Sequence, residues 1–180
     1  MKVDPDKPHR RSLRLRDYDY SQAGAYFITI CTQNRECLFG EVANDEMRLN
    51  DAGRMVESWW GELLNKFPLV ETDEYVVMPN HFHGIVVLVG AALCGRPGGE
   101  VVVEVPSGRR HQGHCQPRIG HPYRGAPTLG DIMDWFKTMT TNNYIRGVKQ
   151  HGWVTFPGKL WQRNYHEHVI RNEEELHSLR

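Results

Sequence analysis

The feature that most restricts the fold is a pair of β-rich runs, Glu74–Met78 (EYVVM) and His81–Val89 (HFHGIVVLV), separated only by Pro79-Asn80. A connection that short cannot hold a crossover, so the two runs must pair antiparallel. A further β-rich run, Ala25–Thr32 (AYFITICT), is followed by a plausible turn at Gln33-Asn34. The turn predicts a return strand over Glu36–Phe39 and hence a hairpin. Between these strand regions, Asn50 or Asp51 begins an amphipathic helix that Pro68 ends. Its apolar positions are Ala52, Met55, Val56, Trp59, Trp60, Leu63, Leu64 and Phe67, recurring at three- and four-residue steps.

Downstream of residue 127 a second helix is signalled. Thr128 is a good N-cap with Asp131 at the third helical position, and the helix is expected to reach about Val148. Ile132, Trp135, Phe136, Met139 and Tyr144 form its apolar side. Lys159–Arg163 (KLWQR) reads as a last strand, which Tyr165–Ile170 could extend unless it starts a helix. Asn172 followed by Glu175 caps a final short helix. That helix reaches Arg180 after about two turns, which is marginal alone, so the C-terminus is expected to be truncated. The order β-β-α-β-β-α-β-α, with hairpins in place of βαβ crossovers, predicts an α+β fold: an antiparallel sheet with helices on one face.

Composition closes several alternatives. The 180 residues fit one ordinary domain, 1–180. Lys+Arg and Asp+Glu are both 22, so any preference for nucleic acid must come from local patches. No apolar run is long enough to span a membrane, and the first residues lack the apolar core of a secretory signal, which points to the cytoplasm. Residues 1–17 form a basic arm with Arg10, Arg11, Arg14 and Arg16. Residues 90–127, rich in Gly, Pro, Arg and His, read as a mobile insertion, with Val101–Val105 as a hairpin arm. Its arginines 96, 109, 110, 118 and 124 outnumber Glu100 and Glu104.

The four cysteines form no CxxC pair and read as reduced thiols. His111, His114, Cys115 and His121 are zinc-ligand types at short spacing, but the loop lacks a second knuckle. The sharper candidate is His81-Phe82-His83. Alternation along a strand sends both imidazoles to one face, about 7 Å apart. There they can converge on one divalent ion, or simply be solvent-facing or hydrogen-bonded strand histidines, which for an HxH triplet alone is the commoner case. Gly84 beside them would allow close backbone approach. His166, Glu167 and His168 are candidates for a further ligand, and spacing does not choose among them. Tyr165 lies in the same cluster and could act as a nucleophile, although a packing aromatic with a hydrogen-bonded hydroxyl is the favoured reading. Trp59, Trp60, Trp135, Trp153 and Trp161 could stack bases or fill the core, the core being favoured where they lie on apolar helix faces. Lys137 and Arg146 lie off the apolar side of the second helix and join the arm as DNA-contact candidates.

Four stretches carry a family resemblance: RRSLRLRDYDYSQAGAYFITICTQNR, EYVVMPNHFHGIVVLV, TLGDIMDWFKTMTTNNYIRGV and GKLWQRNYHEHVIRNEEEL. Together they resemble the IS200-like single-domain tyrosine transposases, in particular the REP-associated branch, over nearly everything except the 90–127 insertion. The family belongs to the HUH nucleases, whose fold is a ferredoxin-like antiparallel sheet. His81 and His83 match the histidines of the HUH motif. The resemblance implies Mg²⁺ or Mn²⁺ held by His81 and His83, with His168 as the third candidate. It also implies DNA binding and DNA transposition on single-stranded or hairpin DNA next to REP-type elements, through a covalent phosphotyrosine link. A second copy of the chain is a candidate partner, and the implied setting is the bacterial cytoplasm, associated with the nucleoid. The family's nucleophile sits on the helix after WQRNYHEH, roughly two residues past Arg180, so Tyr165 is the substitute candidate. The alternatives are a non-catalytic DNA-binding remnant and an unrelated HxH metal protein. Ile85 stands where an HxHxH hydrolase would need its third histidine, and the two long helices argue against an all-β cupin.

Overall fold

The computed structural model describes residues 20, 22–89, 101–104, 110–113 and 127–180. In chain order the strands and helices are β1 (Gly24–Cys31), β2 (Gly40–Ala43), β3 (Glu46–Leu49), α1 (Asp51–Lys66), β4 (Val70–Met78), β5 (His81–Leu88), β6 (Val101–Glu104), β7 (Arg110–Gly113), α2 (Leu129–His151), β8 (His166–Ile170) and α3 (Glu173–Leu179). Four strands form one antiparallel sheet in the order β4-β5-β1-β8. The β4–β5 hairpin turns at Pro79-Asn80, as its tight spacing requires.

β1 is the centre of the sheet beside β5, and its other edge takes β8 in the register Thr29↔His166, Ile28↔Glu167, Phe27↔His168. The predicted return strand over Glu36–Phe39 does not form. Gln33–Arg35 instead makes a 3-10 turn, with Asn34 and Arg35 at positive φ. Leu38 and Phe39 then drop into the core, their amides both donating to Pro79 O. The local hairpin comes later, as β2–β3 around the left-handed Asn44-Asp45 turn. The Lys159–Arg163 strand is also absent. Only one isolated bridge, Thr32↔Trp161, forms there, and the last strand is β8. The β6–β7 ribbon contains most of the expected Val101–Val105 arm. The expected basic arm over 1–17 and the remainder of the insertion up to residue 126 lie outside the described residues.

Strand alternation sorts the core. Tyr26, Ile28 and Ile30 of β1, with Phe82, Val86 and Leu88 of β5, point to the side covered by α1 and α2. From α1 come Ala52, Met55, Val56, Trp60 and Leu63, and from α2 Leu129, Ile132, Met133, Phe136 and Tyr144. Burying each large side chain contributes about 1.5–3 kcal/mol. Gly84 is the exception in β5 that lets this layer close. A Cβ there would sit 2.6 Å from Trp60 Cζ2. Leu64, expected on the apolar face, is instead 48% exposed.

The capping signals act as expected. Asn50 caps α1, Thr128 and Asp131 form a reciprocal capping box on α2, and Asn172 caps α3. The two long helices share one face, whereas α3 lies on the other. Its Leu176 joins Ala25, Ile85, Val87 and Ile170 in a second apolar cluster, with Leu179 packed against it. α3 runs between the sheet edges: Glu175 holds His168 of β8, and Arg180 pairs with Asp73 of β4.

Candidate metal centre and nucleic-acid interface

The face opposite α1 and α2 is divided along its length. The Ala25–Val87 end is apolar and covered by α3. The other end is polar and contains His81 and His83, paired across the strands with Cys31 and Thr29. The two imidazoles stand edge to face with centroids 4.6 Å apart. Both are half-buried, and His83 also stacks on Phe27 at 5.4 Å.

Hydrogen bonds fix how the rings present themselves. Asn80 Nδ2 donates to Arg35 O at 3.2 Å, which turns Asn80 Oδ1 toward His81. Oδ1 can only accept, so the 2.7 Å contact makes His81 Nδ1 the donor. The proton is thereby placed on Nδ1, and the Nε2 lone pair is left for a ligand. His83 Nδ1 lies 2.7 Å from Thr29 Oγ1, so Nε2 is its remaining ligand atom too. Burial lowers both pKa values. The Arg35 charge adds to this at His81, and His81 and His166 add to it at His83. Both imidazoles therefore stay neutral at pH 7, the form a metal needs.

The candidate third ligands separate by register. His166 sits across Thr29 from His83 and is close enough to act on it electrostatically. His168 shares the face but lies one pleat further from His81, and its Nε2 is held by Glu175 Oε1 at 2.5 Å. Glu167 points to the helix side with both carboxylate oxygens buried. Among the described residues no group of three His, Cys, Asp or Glu side chains converges to hold an ion. The expected set His81, His83 and His168 is therefore not brought together, because Glu175 draws His168 toward α3. The two-histidine arrangement still suits an ion that completes its shell with water and phosphate oxygens.

Tyr165 does not belong to this face. It packs against the helix-side cluster, as do Tyr20, Tyr26 and Tyr144, and Tyr75 contacts Trp60 and Phe82 there. The tryptophans proposed for base stacking also serve that layer. Trp60 lies against Phe82 and Phe136, Trp59 against Trp135, and Trp153 against Tyr144. Trp161 donates to Thr140 Oγ1. Lys137, the other DNA-contact candidate on α2, is half-buried. Its Nζ donates to Gln162 O at 2.7 Å and Arg163 O at 3.0 Å, tying α2 to the segment before β8. Arg146 is exposed, in a groove between α1 and α2 with Arg54 and Asn143, on the layer away from the histidines. Arg10, Arg11, Arg14 and Arg16 lie outside the described residues, as do His114, Cys115 and His121. Of the fourth zinc candidate, His111, only the strand backbone is described.

Sequence reasoning missed Asn80 and Thr29 as the groups that orient the histidines. Asn80 was visible next to the HxH triplet. Thr29 was not, because only the β1–β5 register brings it there.

No protein-family model matches the chain. An uncharacterised protein of Haemophilus influenzae is 37% identical over 171 residues, 92% of this chain and 81% of that protein. Among solved structures, a REP-associated tyrosine transposase bound to a REP hairpin superposes with a TM-score of 0.50 at 17% identity. That match covers 92% of this chain and 67% of the other.

Proposed function

The chain belongs to one family with the Haemophilus influenzae protein and has the IS200-like tyrosine transposase fold, and from that premise we propose that it binds single-stranded or hairpin DNA and processes it at the His81–His83 end of the sheet. The observation that carries the reading is the oriented histidine pair on a polar sheet end. Asn80 sets the His81 tautomer, and both rings are held neutral. Hairpin DNA is carried over from the solved neighbour, which is bound to one.

In this reading His81 and His83 hold Mg²⁺ or Mn²⁺. Such an ion would polarise the scissile phosphodiester and offset charge on the departing 3′ oxygen. The chain's own residues do the rest of the positioning. Thr29 and Asn80 keep the rings from rotating, and Phe27 packs flat on His83. The apolar floor under α3 closes the far end of the face. The arm residues Arg10, Arg11, Arg14 and Arg16 are assigned further phosphate contacts. Strand transfer adds a tyrosine hydroxyl attacking phosphorus as the P–O3′ bond breaks. Tyr165, on the helix side, has no part in that attack.

A second reading, DNA binding without strand transfer, is favoured by the placement of every described tyrosine on the helix side. One experiment separates them. A labelled single-stranded hairpin DNA is incubated with the chain, with and without Mn²⁺, and run on native and denaturing gels. The expected result is Mn²⁺-stimulated retention that His81→Ala abolishes. Retention without a denaturation-stable adduct selects the second reading. An adduct lost in Tyr165→Phe overturns the helix-side role of Tyr165, and absence of any DNA retention overturns the function.

A further inference from the structure

A cleft of about 560 Å³ opens beside the histidine end of the sheet. Gln33 and Asn34 of the 3-10 turn form one wall, and Gly158, Lys159, Gln162 and Arg163 of the segment before β8 form the other. The chain path places it next to the strand ends that carry the histidine pair. Cys31 is the strand partner of His81, and Thr32 N donates to Asn80 O at 2.9 Å. Gln33 N then donates to Leu160 O at 2.8 Å, and Gln162 N to Cys31 O at 2.9 Å. The step from Cys31 to Gln33 is about 7 Å of chain at strand rise.

The chemistry of the cleft is cationic and amide-rich. Lys159 and Arg163 are exposed, and none of the lining residues is acidic. Neither cation forms an ion pair with a described residue. The charge of Lys159 is felt by Lys137, which sits behind the wall bonded to Gln162 O and Arg163 O. The wall is built as well as charged. Gln162 Nε2 donates to Thr32 O at 3.2 Å, and Gly158 takes a left-handed φ of 74°. A volume in this range accommodates a nucleotide unit.

The geometry points to this cleft as a subsite for the single strand flanking the phosphodiester held at His81 and His83. Lys159 and Arg163 take a backbone phosphate, and the Gln33 and Asn34 amides face the adjoining base or sugar. The inference rests on the DNA-processing reading above and specifies where the strand leaves the histidines. It differs from the groove between α1 and α2 that contains Arg54 and Arg146, which shares no lining residue with it and serves as a control.

The test is fluorescence anisotropy with a labelled single-stranded oligonucleotide and the same sequence as a duplex, each over a salt series. Lys159→Ala/Arg163→Ala is expected to weaken single-strand binding roughly tenfold and to flatten the salt dependence by about 0.7 per lost phosphate contact. Duplex binding should change less, and Arg54→Ala should leave single-strand binding at the wild-type value. Wild-type affinity in the Lys159/Arg163 variant overturns the subsite while leaving the DNA-processing reading standing. Equal losses for single strand and duplex, or from the control variant, show a general charge effect and also overturn it. A wild-type chain that binds neither DNA removes both claims.

Discussion

At the residue scale, the site is made by what surrounds the histidines more than by the histidines themselves. An imidazole free to rotate or switch tautomer holds a metal poorly, and outer partners that fix it are worth about 10–100-fold in affinity. Asn80→Ala is therefore expected to weaken Mn²⁺ binding by that order while leaving the melting temperature close to wild type. Isothermal titration against a thermal melt separates the two. The pH behaviour follows from burial. His81 and His83 both have pKa values lowered from 6.5. A group depressed in the folded state contributes stability above its unfolded pKa and loses it as pH falls through the folded value. NMR titration of the imidazoles should show both midpoints below 6.5, with acid destabilisation in the same window. Midpoints at or above 6.5 would contradict the burial argument.

At the element scale, β5 is central. Its alternation places the histidines on one face and Phe82 on the other, and Gly84 lets Trp60 of α1 lie against the strand. Overpacking a core typically costs about 1–3 kcal/mol, so Gly84→Ala should lower stability by that amount in denaturant melts. α3 stands on less: Leu176, Leu179, an asparagine cap and two ionic contacts. Losing its cap through Asn172→Ala should cost about 1 kcal/mol. The cost should appear first as faster hydrogen exchange in α3, with β1 and β5 unchanged.

Much of this is readable in the chain. The tight Pro79-Asn80 hairpin, both long helices and all three caps follow from local chemistry, and so does the shared face of His81 and His83. What local chemistry misses depends on contacts distant in sequence. Glu36–Phe39 reads as a strand because it is apolar after a turn, yet Phe39 packs against Tyr144 and Trp161 and leaves the sheet. KLWQR reads as a strand for similar reasons, but Leu160 and Trp161 are core plugs. The choice between His166 and His168 needs the β1–β8 register and the Glu175 bond, neither of which is written locally.

At the scale of the whole molecule, the sheet separates two jobs. Among the described residues, one face holds most of the aromatic side chains and packs them against α1 and α2. The other is apolar under α3 at one end and polar at the end that contains His81 and His83. Lys137 links the two, because it fastens α2 to the segment that walls the cleft and leads into β8. Hydrogen bonds to charged groups are worth about 1.5–3 kcal/mol each. Burial lowers the Lys137 pKa, which works against that gain. Lys137→Met should still lower the melting temperature by several degrees, at about 2–4 °C per kcal/mol for a chain of this size.

The central claim is that a divalent ion and DNA meet at His81 and His83. Electron paramagnetic resonance of Mn²⁺ tests it most directly, with the ion titrated into the wild-type chain and into His81→Ala/His83→Ala, each with and without single-stranded hairpin DNA. The free-Mn²⁺ signal should fall in the wild type, and fall with DNA by more than DNA alone produces, while the double variant shows only the fall that DNA alone produces. Identical titrations for the two proteins would contradict the claim.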